Sequence, residues 1–355
     1  MPETMTATAA FSCPAPLALR DRIVLGHGSG GRLSAELLAD IFLPLFRNPV
    51  LDRMDDQAVI EVAGARLAFT TDSFVVQPLF FPGGDIGSLA VHGTINDLAM
   101  GGARPLFLSA AFILEEGFST DALRRIAASM AGAAASAGVQ IVTGDTKVVE
   151  RGKGDGVFIN TTGIGIVPDG VRLSASQARP GDKVILSGEI GNHGIAILAQ
   201  REGLEFDTRI ESDSAALHGL VARMLGSTQP GPVRAMRDPT RGGVSSTLNE
   251  IAAESRVSIQ IEETRIPIRD EVRAACELLG LDPLYVANEG KLIAIVAPEA
   301  ADEVLQAMQE DPLGRQAAII GTVGDESPGL VTMKTAFGST RIVDLLAGEQ
   351  LPRIC

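Results

Sequence analysis

Five aspartates recur in similar local settings: Asp55 and Asp56 in RMDDQAVI, Asp72 in FTTDSF, Asp97 in GTINDLAM and Asp145 in VTGDTKVV. Each is read at the end of an apolar strand or in a helix-opening turn, and strand ends in α/β proteins converge on ligand sites. Taken singly, each is a turn former or a helix cap. Taken together, such hard oxygen donors suit Mg²⁺ held with substrate phosphates. Lys147 follows GDT directly, where an ammonium neutralises charge developing on a transferring phosphoryl group. Glu289, in YVANEGKL, lies in a polar break beside a strand, a setting for a general base with a raised pKa. Both are equally read as ordinary surface charges.

Two glycine-rich stretches offer backbone N–H groups to anions. HGSGGR, residues 27–32, brings Gly28, Gly30 and Gly31 to the start of the first helix, although it lacks the Lys and Ser/Thr of a P-loop. In RDPTRGG, residues 237–243, Asp238 and Arg241 flank a turn and two glycines open the next helix. Each stretch also reads as plain turn chemistry. His193, in SGEIGNHGIA, is either a satisfied turn histidine or a phosphate contact. The chain ends in PRIC, which leaves the Cys355 thiol on its last residue.

The elements that must position these residues follow from composition and periodicity. A chain of 355 residues with 45% hydrophobic content has length for about two domains with separate cores. Its 39 glycines, 4% aromatic content and lack of Trp suit an alternating α/β protein with many tight turns. The net charge of −14 argues against nucleic acid and anionic membrane as partners, and no apolar run has the length of a membrane span. Cys13, Cys276 and Cys355 form neither a zinc spacing nor an even disulfide framework, which fits a cytoplasmic protein. Cys276, in EVRAACELLGL, reads as a core residue.

Apolar spacing predicts an amphipathic helix over Arg32 to Phe46, strands at AVIEV and RLAFTTD, and a helix at IGSLAVHGTINDLAMGG. A buried strand LFLSAAFIL, a helix capped by Ser119 or Thr120, and the runs VQIVTGD and VFINTTGIGIV complete the first half. The Pro180–Gly181 turn marks the domain boundary. The second half has strands at KVILSG, VSIQIEE, KLIAIVA and AAIIGTV, and a helix that puts Val244, Leu248, Ile251 and Ala252 on one face. The division is an extension over 1–22, an N-terminal domain over 23–168, a C-terminal α/β domain over 169–345 and a flexible tail over 346–355. Gln350 to Cys355 is expected to be an exposed arm.

HGSGG, TTDS, FFPGGDIG, GTINDLAM, FILEEG, VTGDTKVVERG, SGEIGNHG, RDPTRGGV, ANEGKL and LPRIC, in this order, make the chain resemble the HypE family of [NiFe]-hydrogenase maturation proteins. The correspondence runs from about Leu25 to Cys355. TTD, NDLA, GDT and DPTRGG are shared with the wider superfamily of aminoimidazole ribonucleotide synthetase and selenophosphate synthetase, whereas VTGDTKVV with a terminal PRIC is narrower. The resemblance implies an aminoimidazole ribonucleotide synthetase-like fold of two α/β (α+β) domains, with the N-terminal sheet pairing across a homodimer and ATP in the cleft. It implies that the carbamoyltransferase HypF loads a carbamoyl group on Cys355, that ATP-dependent dehydration converts it to a thiocyanate, and that the cyano group passes to iron on a HypC and HypD scaffold.

By the same resemblance, Asp56, Asp72, Asp97 and Asp145 bind Mg²⁺ and polyphosphate, with Asp238 a further polar contact. Gly28, Gly30 and Gly31 close over the phosphates. Cys355, Lys147 and Glu289 carry the catalysis: Lys147 stabilises the activated oxygen and Glu289 takes an N–H proton. One departure is Asn192, where an acidic residue is expected before His193, and neither is given a catalytic role. A selenophosphate synthetase is the alternative enzyme, but it needs a reactive Cys in the loop that here reads HGSGG. A non-enzymatic scaffold would leave the acidic constellation, Lys147 and Glu289 without a shared purpose.

Overall fold

The computed structural model describes residues 22–204, 209–346 and 354–355. The expectations for the N-terminal extension with Cys13, and for Pro352 and Arg353, lie outside the described residues.

The first sheet contains β1 (Ala58–Val62), β2 (Ala65–Phe74), β5 (Arg104–Glu115), β6 (Gln140–Val149) and β7 (Val157–Ile166) in the order β1-β2-β7-β5-β6. Only β5 and β6 run parallel. A two-residue ribbon of β3 (Phe80–Phe81) and β4 (Gly84–Asp85) leads into α3 (Ile86–Met100). Asp85 caps α3, accepting from Gly87 N at 2.7 Å and Ser88 N at 3.2 Å, so two otherwise orphaned donors are satisfied. α3 and α4 (Thr120–Ser136) pack on one face of this sheet, where Phe74, Leu108 and Ile159 point inward with period two. On the other face Phe69, Ile164 and Phe107 lie side by side in register, 43%, 38% and 41% exposed.

The second sheet starts after a turn-rich connection. It comprises β8 (Lys183–Leu186), β9 (Val233–Arg237), β10 (Ser258–Glu262), β11 (Ile293–Val296), β12 (Ala318–Gly324), β13 (Val331–Lys334) and β14 (Thr340–Ile342), ordered β14-β13-β10-β12-β8-β11-β9. Both of its faces are buried, so β11 reads as a continuous apolar run. Val184, Ile293 and Ile295 join the core under α7 (Gly243–Ser255), while Ile185, Ala294 and Val296 join the core with α6 (His218–Ser227) and α9 (Ala301–Gln309). α5 (Asn192–Glu202) and α8 (Asp270–Leu279) pack together, and Cys276 is buried there, its thiol pushed up to about 11 by burial. The expected α7 face is found: Val244, Leu248, Ile251 and Ala252 are fully buried.

Three expectations need correction. The helix over Arg32 to Phe46 forms as α1 (Arg32–Leu37), a π turn (Leu38–Phe42) and α2 (Leu43–Phe46), interrupted where Pro44 withholds its N–H. Its apolar stripe is not in the core: Ile41, Leu45 and Phe46 are 48%, 74% and 62% exposed. Asp97 lies well inside α3, not in its opening turn, and Asp145 lies mid-strand, because parallel pairing with β5 carries β6 on to Val149. Of the expected exposed arm only Ile354 and Cys355 are among the described residues, and they are not exposed as expected: Ile354 is 4% exposed and bridges Val76.

Candidate active site

Asp55 and Asp56, adjacent in sequence, do different things. Asp55 Oδ1 accepts from Ser174 Oγ and Ala175 N, each at 3.0 Å, and so clips the segment before β1 to the second half. Asp56 Oδ1 accepts from Arg237 Nε at 2.9 Å, while its Oδ2 is buried with no protein partner. Arg237 also donates to Met54 O at 3.0 Å and Glu250 Oε2 at 2.7 Å, which fixes β9 against the Asp56 turn.

Asp72 sits near the end of β2, where its carboxylate accepts from Ser73 N at 2.8 Å. Asp97 faces it from α3, with Thr70 Oγ1 2.8 Å from its Oδ2. Asp238 follows β9 directly. Burial raises the carboxyl pKa of Asp72, Asp97 and Asp238, and their neighbours' charges push Asp97 and Asp238 further up. Glu289 is 2% exposed, and its Oε1 has no partner. Burial, then Asp238, Asp72 and Asp213, lift it well above the ordinary carboxyl range, and Arg241 opposes them.

The glycine stretches meet across the halves. Arg241 Nη1 donates to Gly28 O at 2.9 Å, and a Cβ on Gly30, at φ +73°, would lie 2.7 Å from Arg241 Cβ. Gly242, at φ +78°, would likewise drive a Cβ to 2.9 Å from Gly30 O. Gly31 packs under Leu346, whereas Gly28 faces open space.

The chain terminus enters this cluster. Cys355 O accepts from Val75 N at 3.0 Å, continuing the Val76–Ile354 pairing at the end of β2. Burial pushes the thiol well above its ordinary range; Arg241 pulls it down, while Glu289, Asp72 and Asp238 push it up. The thiol, one guanidinium and several carboxyls thus share one electrostatic environment.

Asp145 and Lys147 stand apart. They pair at 2.6 Å on the exposed edge strand β6, with side chains 63% and 69% exposed. Three features escaped the sequence reading. Arg241 was visible only as a turn residue. Asn96, buried in α3, holds the halves together by donating to Ala215 O at 3.0 Å and Glu289 O at 3.2 Å and accepting from Leu217 N at 2.8 Å; its signal was an amide beside Asp97 in a helix rich in apolar residues. Lys291, paired with Asp213 at 2.6 Å, flanks Glu289.

The donor set fits a hydrated Mg²⁺ bound together with phosphates. Among the described residues no three His, Cys, Asp or Glu side chains form a metal cage. Mg²⁺ keeps several waters and takes one or two carboxylates plus phosphate oxygens. The orphaned Asp56 Oδ2, with Asp72, Asp97 and Asp238, supplies such oxygens. When bound, the ion would neutralise phosphate and carboxylate charge.

A pH test follows. A carboxyl whose folded pKa is raised binds more protons folded than unfolded, so its contribution to stability falls as pH climbs above the unfolded value near 4. Asp97→Asn should therefore match wild type near pH 4 and melt higher at pH 8 in metal-free buffer, by about 2–4 °C for each 1 kcal/mol of relief. Added Mg²⁺ with nucleotide should stabilise wild type more than the variant. Thermal melts across pH check this, and equal melting at pH 8 would contradict it.

Comparison with known proteins places the site in a family. Residues 54–167 match the model of the AIR synthase related protein N-terminal domain, and residues 179–334 match its C-terminal domain. The chain is 59% identical over 353 residues to carbamoyl dehydratase HypE of Cupriavidus necator, covering 99% of this chain and 100% of that one. A crystal structure of a HypE–HypF complex superposes with TM-score 0.83 at 48% identity, covering 87% of this chain and 99% of the matched one. A structure of HypE in complex with ATP gives TM-score 0.79 at 50% identity, covering 94% and 100%. No helix among the described residues is long and apolar enough to cross a membrane. With that identity over nearly its whole length, and with a terminal cysteine seated between the two AIR synthase-like halves, the chain belongs to the HypE family of carbamoyl dehydratases, the enzymes of hydrogenase maturation.

Proposed function

We propose that this chain dehydrates an S-carbamoyl group on its own Cys355 to an S-cyanate, driven by ATP, and so supplies cyanide for the iron of a [NiFe] hydrogenase. The observation that carries the reading is the placement of Ile354 and Cys355 inside the cluster of Glu289, Asp72, Asp238 and Arg241. A carbonyl oxygen leaves poorly as hydroxide. Its attack on the γ-phosphorus of ATP forms an O–P bond and releases ADP, and one N–H proton passes to Glu289. Cleavage of the C–O bond then expels phosphate, which carries away the second N–H proton and leaves C≡N on sulfur.

Asp56, Asp72, Asp97 and Asp238 hold the polyphosphate through Mg²⁺ and water, and the Gly28, Gly30 and Gly31 loop covers it. Arg241 ties that loop to the thiol's surroundings. Burial favours the protonated form of Glu289. Positive charge entering with the nucleotide favours its carboxylate, the form that accepts the amide proton. HypF supplies the carbamoyl group, and HypC and HypD receive the product, in the cytoplasm.

Asp145 and Lys147 can serve this site only if another copy brings them. The exposed β6 edge and the Phe69–Ile164–Phe107 row support pairing with a twin sheet, which would carry both residues into a neighbouring cleft. Lys147→Ala should load normally but dehydrate at least 100-fold more slowly. A mixed dimer of Lys147→Ala with Glu289→Ala should regain one working site of two, so an equal, fully exchanged and loaded mixture should dehydrate at up to about a quarter of the wild-type rate. An inactive mixture, with exchange of subunits confirmed, would contradict supply from the twin.

A further inference from the structure

We propose that His193 is the latch that positions the reactive terminus, holding it inward through a hydrogen bond from its Nε2 to the Ile354 carbonyl. The ring belongs to the second residue of α5, is fully buried, and meets Phe81 edge-on at 5.7 Å. Nε2 lies 2.8 Å from Ile354 O, and Nδ1 lies 2.8 Å from Ser212 Oγ. Both ring nitrogens have buried partners, so His193 is a satisfied histidine, and its partners say what it holds.

The tautomer follows from the partners. A carbonyl only accepts, so Nε2 carries the hydrogen; in a neutral ring Nδ1 must then accept. Ser212 is arranged to donate there. Its backbone N–H goes to Pro82 O at 2.8 Å, and its Oγ receives Ser214 N–H at 3.2 Å, which leaves the hydroxyl hydrogen for the ring. Burial lowers the ring's pKa and favours the neutral form, opposed by the bond to the Ile354 carbonyl and by Asp213.

A buried histidine with two core partners would be plain structure. This one has as its partner a carbonyl 161 positions away, at the extreme end of the chain, on the residue preceding the thiol. Val75 N–H holds the Cys355 carbonyl, and Ile354 packs its side chain with Phe81 and Ile197. The two ties fix the backbone on both sides of the Cys355 Cα, so they set the direction in which its Cβ, and with it the thiol, leaves the chain. His193 acts on the reaction only through the terminus, as a positioning residue. The docked geometry stands by itself; its consequence for turnover rests on the dehydration reading.

The test measures alkylation of Cys355 by iodoacetamide in the full-length protein at pH 8, read on the C-terminal peptide by mass spectrometry. Losing one buried hydrogen bond should open the latch, and His193→Ala should raise the alkylation rate about tenfold. His193→Gln, whose amide N–H can donate to Ile354 O, should return the rate to within about threefold of wild type. Ser212→Ala, which keeps the ring but frees its tautomer, should fall between them. MgATP binding, measured by calorimetry, should be unchanged in all three, and this reports an intact fold. In single turnover of loaded protein, His193→Ala should lower the maximal rate and leave the half-saturating ATP concentration alone. Wild-type alkylation rates in both His193→Ala and Ser212→Ala would overturn the latch, as would failure of Gln to rescue while ATP binding is intact. A latch that behaves as expected in a protein that never loses water would instead sink the dehydration reading.

Discussion

Cys355→Ser should give a folded protein that binds nucleotide as wild type does and produces no nitrile. Serine changes one atom, so the Val75 and His193 ties to the terminus and the packing of Ile354 remain. Sulfur carries the chemistry in two ways. Loading needs a thiolate, and an alkoxide is not available near neutral pH. The docked thiol is itself a poor nucleophile, because burial among Glu289, Asp72 and Asp238 pushes its pKa up more than Arg241 brings it down. Loading therefore belongs to a released terminus, and dehydration of the loaded, uncharged thiocarbamate belongs to the inward position. The expected loss of nitrile is complete, within detection by intact mass. A serine variant that bound nucleotide tenfold more weakly would contradict a terminus that is substrate alone.

Glu289→Gln should accept the carbamoyl group normally and dehydrate it about 10²–10⁴-fold more slowly, the usual worth of a positioned base. Glutamine has the same shape, so the contacts around ANEGK persist: Asn288 still receives Gly191 N at 2.7 Å and reaches Pro239 O at 3.0 Å. The variant should also be more stable without nucleotide. Glu289 has a raised folded pKa, so its ionisation weakens the fold as pH rises from its unfolded value upward. The gain from Gln should be absent near pH 4 and grow through pH 8. Slow chemistry with higher stability separates a functional acid from a structural one. A variant that turns over at the wild-type rate would remove Glu289 from the mechanism.

Most of the scaffold was legible because strands and helices bury regular faces. Val244, Leu248, Ile251 and Ala252 report their helix by spacing alone, and Ser119, accepting from Ala122 N at 3.3 Å, caps α4. Periodicity shows that a face is apolar; it does not show what covers it. The stripe that includes Ile41 and Leu45 read as the apolar face of an amphipathic helix, and that face is exposed. Asp145 read as a strand end because GDT has turn chemistry, yet parallel pairing with β5 outweighs that local preference. Within the site, acidic residues stood out by type, but their division of labour did not. Asp55 and Asp56 differ by which half of the molecule each faces, and that depends on Ser174 and Arg237, over a hundred residues away. His193 is the extreme case, since its partner is the chain's own end.

The proposed reaction removes water from a group on Cys355 inside this cluster. Intact-mass measurement of the carbamoylated protein, before and after MgATP, tests it most directly. The expected change is a loss of one water, about 18 Da, confined to the C-terminal peptide and matched by one phosphate released per chain. An unchanged carbamoyl adduct, in protein shown to be folded and to bind ATP, would contradict it.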